Sequence, residues 1–227
     1  YRLALRLDPY NALAHQWYAK YFWLTGHAPQ ALKYMRTADE LDPQSSVVKA
    51  NLGRALTYTG AYHSGEKQLL ADIAASPQLG LGYEYLAETH LAMKEYRQAL
   101  DDVKAAMKAT ATYPDSLLLM ESGLAELGLG HKNLARQYLS TLLRREPEEH
   151  ISGVLTAELY WSLGDKDHSF TELQRAAKEH DQNLMIVAGP DWAGVRADPR
   201  FAQIRALMNL PAAEAPYAAA VGLHTQP

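Results

Sequence analysis

The chain of 227 residues contains no cysteine. That excludes a disulfide framework, a thiolate nucleophile and a zinc–thiolate site, and it suits an oxidising or a reducing compartment equally. No apolar run approaches the roughly 18 residues that a membrane-spanning helix needs, and no stretch reads as a signal peptide. Neither sign of charge dominates: 22 Lys and Arg are interspersed with 26 Asp and Glu, for a formal net charge of −4. That balance argues against nucleic-acid binding by this segment. The motifs of familiar catalytic sites are missing as well. There is no G-x-S-x-G, no Walker loop and no G-x-G-x-x-G, and the nine His residues are scattered without H-E-x-x-H or paired ligand spacing. Gly128-Leu129-Gly130 lies between two helical patterns and reads as a turn. The sequence therefore nominates no catalytic residue, no metal and no cofactor, and an enzyme is not expected.

What the chain does contain is a repeat. From Ala12 to Pro43, two amphipathic helical patterns flank a break at Thr25-Gly26-His27. His15, Tyr18, Ala19 and Phe22 share one helix face before the break, and Ala31, Met35 and Ala38 share one after it. The unit closes at Asp42-Pro43, where proline cannot continue the helix. Pro9, Pro43 and Pro77 stand 34 residues apart, as do Gly26 and Gly60.

A period of this length built as helix–turn–helix resembles the tetratricopeptide (TPR) repeat. The slots of that pattern are filled by His15, Tyr18-Ala19, Phe22, Ala31, Met35 and Pro43 in the first copy. The second copy has Lys49, Leu52-Gly53, Leu56, Gly65, Leu69 and Pro77. Tyr83, Leu86-Ala87, His90, Ala99 and Val103 fill them in the third, with Ala111 in place of proline. In the fifth they are Gly153, Thr156-Ala157, Tyr160, Ser169 and Leu173, with Asp181 in place of proline. The resemblance implies an all-α, right-handed superhelix of antiparallel helix pairs. Its units are 12–43, 46–77, 80–111, 116–147 and 150–181. Residues 1–9 match the second half of a repeat whose first helix is missing, so the native protein is expected to extend further N-terminally.

Local departures carry expectations of their own. Gly65 stands in a tight alanine slot, at a helix-propensity cost of ~1 kcal/mol. Asp72, where a small apolar residue belongs, is expected at a solvated edge. His15 and His90 fill core slots. Glu84 with Glu88, and Asp101 with Asp102, read as solvated helix faces. Before the fourth copy the connection is two residues longer, and Pro114-Asp115 is expected to start its first helix. That helix has two registers, with Glu126 or Leu127 in the slot expected to be aromatic. Residues 182–210 read as a capping segment that covers the last repeat, its helix starting at Asp198-Pro199 and presenting Phe201, Ile204, Leu207 and Met208. Residues 211–227, rich in proline and alanine, read as a disordered tail.

The closing segment carries a second resemblance. Pro190, Asp191, Trp192, Val195-Arg196 and Asp198-Pro199-Arg200-Phe201 look like the ending of TPR arms at the C-terminus of bacterial regulators. The hosts are winged-helix transcription regulators, serine/threonine kinases and nucleotide cyclases. It implies an attached effector domain on the N-terminal side and, as an alternative to a scaffold, a sensory arm that binds a small ligand or peptide.

TPR proteins hold extended protein segments on a concave surface made by the first helix of each repeat, so the resemblance implies a protein or peptide partner there. The stripe beside the core stripe is the expected lining: Leu13, Gln16, Lys20 and Trp23, then Val47, Ala50, Arg54 and Thr57, then Leu81, Glu84, Glu88 and Leu91, and finally Ile151, Val154, Glu158 and Trp161. Asn51 and Tyr58 complete the candidate groove. The clamp by which some TPR proteins hold chaperone-tail carboxylates finds only Asn51 among Gln16, Lys20, Asn51, Leu81 and Tyr85. A chaperone tail is therefore not expected. The expected ligand is a segment with apolar anchors at Trp23 and Trp161 and an acidic end near Lys20 and Arg54.

Overall fold

Five sharp turns set the architecture. At Gly26, Gly60, Lys94, Gly130 and Gly164 the backbone enters the left-handed region, with φ between 63° and 93°. After each turn residue, an N–H reaches back five positions. His27 donates to the Phe22 carbonyl, Ala61 to Leu56, Glu95 to His90, His131 to Glu126 and Asp165 to Tyr160, all at 2.8–3.0 Å. This closure satisfies carbonyls that a helix end leaves unpaired, and it reverses the chain. Four of the five positions are glycine because it alone has no Cβ to clash there.

The turns divide the chain into pairs. The computed structural model describes residues 1–110, 115–146 and 149–210. A short α1 (Arg2–Leu7) precedes α2 (Ala12–Leu24) with α3 (Ala28–Leu41), α4 (Ser46–Tyr58) with α5 (Tyr62–Ala75), and α6 (Gly80–Ala92) with α7 (Tyr96–Thr110). α8 (Ser116–Gly128) with α9 (Lys132–Arg145) and α10 (Gly153–Leu163) with α11 (Lys166–Lys178) follow. Among the described residues there is no strand. Four of the five first helices start where the sequence offers a side-chain oxygen, and α6 starts after Leu79 without one. Asn11, Ser45, Asp115 and Ser152 accept the N–H groups of Ala14, Val48, Leu117 and Val154. The expectations for Ala111, Pro114, Pro147 and the tail 211–227 lie outside the described residues.

The pairs pack through the small slots. Ala19, Ala31, Ala38, Ala87 and Ala99 have no exposed surface, and Met35, Leu69, Val103 and Leu173 are buried beside them. Gly65 has a steric reason. A Cβ there would lie 2.6 Å from Thr57 Oγ1 and 2.9 Å from the Gly53 carbonyl oxygen. Thr57 is held in place by Thr89, its hydroxyl 2.7 Å away. Gly65→Ala is therefore expected to destabilise by about 1–3 kcal/mol, because overpacking outweighs the helix-propensity gain. Urea unfolding of the variant checks this, and a gain in stability would show that α4 and α5 can separate freely.

Three expectations are corrected. Asp72 is not at a solvated edge. It is 2% exposed, between α5 and α6, where Gly82 leaves room for it. Burial raises its pKa, against the charge of Lys49 and a hydrogen bond from Ser46. Asp102 is not on a solvated face either. It holds His90 Nδ1 at 2.5 Å, while Glu66 and Glu95 stand 3.6 and 3.7 Å from Nε2. Burial works against the His90 cation, but the hydrogen bond and charge of Asp102, with those of Glu66, outweigh it and raise the pKa. Asp101 is exposed, paired with Lys104. The solvated reading fails for Glu84 and Glu88 too, as described below. In the fourth pair, Gly130 fixes the register. Glu126 occupies the aromatic slot, and its carboxylate bonds to His131 Nδ1 at 2.7 Å.

Beyond α11 the chain does two things. α12 (Ala193–Ala197) and α13 (Phe201–Leu207) close the end, with Phe201 and Ile204 buried. Arg200 lies over the Phe170 ring at 4.2 Å and binds Asp198 and Asp167. Before that, two 3-10 segments, Gln182–Ala188 and Pro190–Trp192, cross the inner face of the solenoid. This strap reaches α2, where Ala188 packs on the cluster of Ala19, Trp23, Val48 and Tyr58. Gly189 sits against the Tyr58 ring, and Gly194 against Trp161. Arg196 fixes the strap by donating to the carbonyls of Val187 and Gly189.

Candidate binding site on the inner face

The first helices of the second to fifth pairs contribute to one buried polar centre under the strap. Arg54 on α4 lies 2.7 Å from Glu88 Oε2 through Nε, a charge contact rather than an aligned hydrogen bond, and 3.2 Å from Oε1 through Nη2. The Tyr58 hydroxyl donates to Glu88 Oε1 at 2.7 Å. The guanidinium also stacks over the Tyr85 ring at 4.5 Å. Burial opposes the Arg54 charge, but Glu88 and the two phenols hold it and raise its pKa.

Among the groups that line the space beside this ion pair, the other ionisable side chains are all acidic. Glu84, also on α6, is pushed up to about 7 by burial, with Glu88 and Asp115 adding and Arg54 opposing. Asp191 on the strap, whose residue keeps an exposed surface, is pushed up to about 6 by loss of solvent around its carboxyl and by Glu88, against Arg196 and Lys94. Glu121 on α8 and Glu158 on α10 are raised well above the usual carboxylate range. Burial is the first cause for both, followed by Glu84 and Glu88 at Glu121 and by Asp191 and Glu88 at Glu158. The Trp192 indole N–H donates to Glu158, which works the other way. A cavity of about 20 Å³ remains among these groups.

A second, open space lies where the solenoid ends meet. A crevice of about 440 Å³ runs between Trp17, Lys20, Tyr21 and Leu24 of α2 and the chain from His180 to Met185. Trp17 is 44% exposed, and the Lys20 ammonium sits 4.7 Å from its ring centroid. Burial, with the charge of Arg54, lowers the Lys20 pKa.

The expected groove residues therefore fall into groups. Arg54, Tyr58, Glu84, Glu88, Leu91 and Glu158 gather around the buried centre, and Lys20 lines the crevice. Gln16, Trp23 and Asn51 are buried in helix packing. Trp23 lies 5.6 Å from the Tyr58 ring, and Asn51 donates to the Val47 carbonyl at 2.7 Å. Trp161 is at the far end, against Gly194 and under Lys166. The acidic ligand end expected at Arg54 is corrected, because Glu88 already neutralises that guanidinium. Glu121, Asp191 and Trp192 were missed. Glu121 occupies in the fourth pair the place of Asn51 and Tyr85, and anchoring that pair's turn on Gly130 would have found it. No sequence signal brings Asp191 and Trp192 back across the inner face.

No protein-family model matches the chain, and no curated protein matches it in sequence. Solved structures do match. TTC0263, a thermophilic TPR protein of Thermus thermophilus, has a TM-score of 0.60 at 22% identity, over 78% of this chain and 96% of that one. Yeast Tom70 gives 0.55 at 17% identity, over 89% of this chain and 44% of its own. PilF of Pseudomonas aeruginosa gives 0.51 at 22% identity, over 81% and 83%. These likenesses show the fold, a TPR-type solenoid of helix pairs. Among the described residues, no helix is long and apolar enough to cross a membrane, and no group of three or more His, Cys, Asp or Glu is placed to hold a metal ion.

Proposed function

We propose that the chain is a protein-interaction scaffold that docks an extended segment of a partner on its inner face. The observation that carries this reading is the crevice between α2 and the strap, with Trp17, Tyr21 and Lys20 presented together at its mouth. Aromatic side chains on a rigid helix give large contact area at low entropic cost. A carboxylate beside Lys20 would offset the burial that weakens its charge, so the favoured segment has an apolar anchor and an acidic neighbour. Arg54, Tyr58, Glu84, Glu88, Leu91 and Glu158 are the surface a longer segment would meet once the strap is displaced. This is a binding role and not a catalytic one.

The test is a double variant, Trp17→Ala with Lys20→Glu, beside an outer-face control, Lys33→Glu with Arg36→Glu. Partner capture is expected to fall at least about tenfold in the first and to keep its salt dependence in the second. Circular dichroism checks that both are folded. Equal capture by wild type and the inner-face variant would overturn the docking site. The sensory-arm reading, with an effector domain attached on the N-terminal side, keeps the closing Asp198-Pro199-Arg200-Phe201 motif as its support, together with the closed cavity under the strap.

A further inference from the structure

The cavity under the strap is unlike the crevice. Five carboxyl groups line it, Glu84, Glu88, Glu121, Glu158 and Asp191, against one guanidinium, Arg54. Arg54 is committed to Glu88. Four acids are left without a matching cation among the lining groups. Glu121 is 3% exposed, and its Oε2 has no hydrogen-bond partner. A buried acceptor without a donor costs free energy that a ligand bearing N–H groups recovers.

We infer that this cavity is a binding site for a primary alkylammonium group, held by Glu121 and Glu158 with Asp191 closing over it. Size selects among cations. A space of about 20 Å³ admits one water-sized group. An ammonium is a compact point charge with three donors, whereas a guanidinium is a wide planar fork. The absence of a metal-holding group among the described residues disfavours direct metal ligation. The remaining walls, Leu91, Leu117, Met120, Leu124 and Ile186, are apolar and strengthen the attraction between an ammonium and the carboxylates around it. The inference concerns this cavity alone and does not depend on docking in the crevice, so either can fail without the other.

The full chain is titrated with methylammonium chloride and, at matched ionic strength, with tetramethylammonium chloride, by calorimetry and thermal unfolding. Methylammonium is expected to bind saturably and to raise the melting temperature. Tetramethylammonium, of the same charge but without N–H donors and too bulky, is expected to do neither. Glu121→Gln should weaken methylammonium binding at least about tenfold while the chain stays folded. Glu158→Gln should do the same, which keeps the test decisive if one variant fails to fold. A short blocked peptide containing one lysine separates the sources. Tighter binding than methylammonium assigns the group to a partner's side chain, and binding of methylammonium alone assigns it to a free amine. Equal responses to the two salts, no saturable heat from methylammonium or the peptide, or unchanged affinity in the folded Gln variants would each reduce the cavity to a water site and overturn the inference.

Discussion

Glu121→Gln is expected to raise the stability of the ligand-free protein at neutral pH and to flatten its pH dependence. The buried centre reverses the usual behaviour of carboxylates. Glu84 moves from its ordinary 4.5 to about 7, and Asp191 from 3.8 to about 6. The folded chain then holds protons that the unfolded chain has released. The stabilisation contributed by these two groups is fully present below the ordinary carboxyl range and is lost as pH rises to about 7. Each tenfold change in proton affinity is about 1.36 kcal/mol, so the shift at Glu84 accounts for at most roughly 3 kcal/mol, and that of Asp191, whose residue is exposed to solvent, for much less. His90, with its raised pKa, contributes in the same sense, its stabilisation fading as pH rises above the ordinary histidine range. Glutamine at position 121 keeps the shape and removes one acid from the centre. Urea unfolding at about pH 5 and about pH 8 should show a gain of about 1–3 kcal/mol at the higher pH and little at the lower. An unchanged slope between the two would mean that Glu121 is paired or hydrated in solution.

Trp192→Ala should loosen the far end of the molecule. Trp192 is buried in the C-terminal core and donates its indole N–H to Glu158. Its truncation is expected to cost about 3–5 kcal/mol. The pattern of the loss is more telling than its size. Once the strap lifts, Ala188 leaves the Trp23 and Tyr58 cluster, so hydrogen exchange should accelerate in α2 and α4. Phe201→Ala removes packing of α13 on α11 and should accelerate exchange in α11 first, because solenoid stability passes between neighbours. If Trp192→Ala left exchange in α2 and α4 unchanged, the strap would contribute nothing to holding the first pairs.

The repeating part of this protein is legible in its residues alone. Helix pairs, their turns at Gly26, Gly60, Lys94, Gly130 and Gly164, and the tight slots at Ala19, Ala31, Ala87 and Ala99 follow from periodicity. Each repeat contacts mainly its neighbours, so the same pattern must be written into every copy. Where a copy departed from the pattern, the side chain's surroundings were not legible. Asp72 went into a buried slot because Gly82, on the next helix, made space for it. Glu126 kept the aromatic slot because the turn at Gly130, and not the residue's polarity, fixed the register.

The inner face is a matter of the assembled fold. Arg54, Glu88, Glu121 and Glu158 come from four helices, and each alone looks like a solvated residue on an amphipathic stripe. They become one buried centre because the chain from Gln182 to Trp192 folds back over them. That contact joins residues more than 130 positions apart, such as Tyr58 and Gly189. It occurs once and is set by the curvature of the whole solenoid. A contact made once leaves no period in the sequence, so the strap and the site it closes could be read only from the tertiary structure.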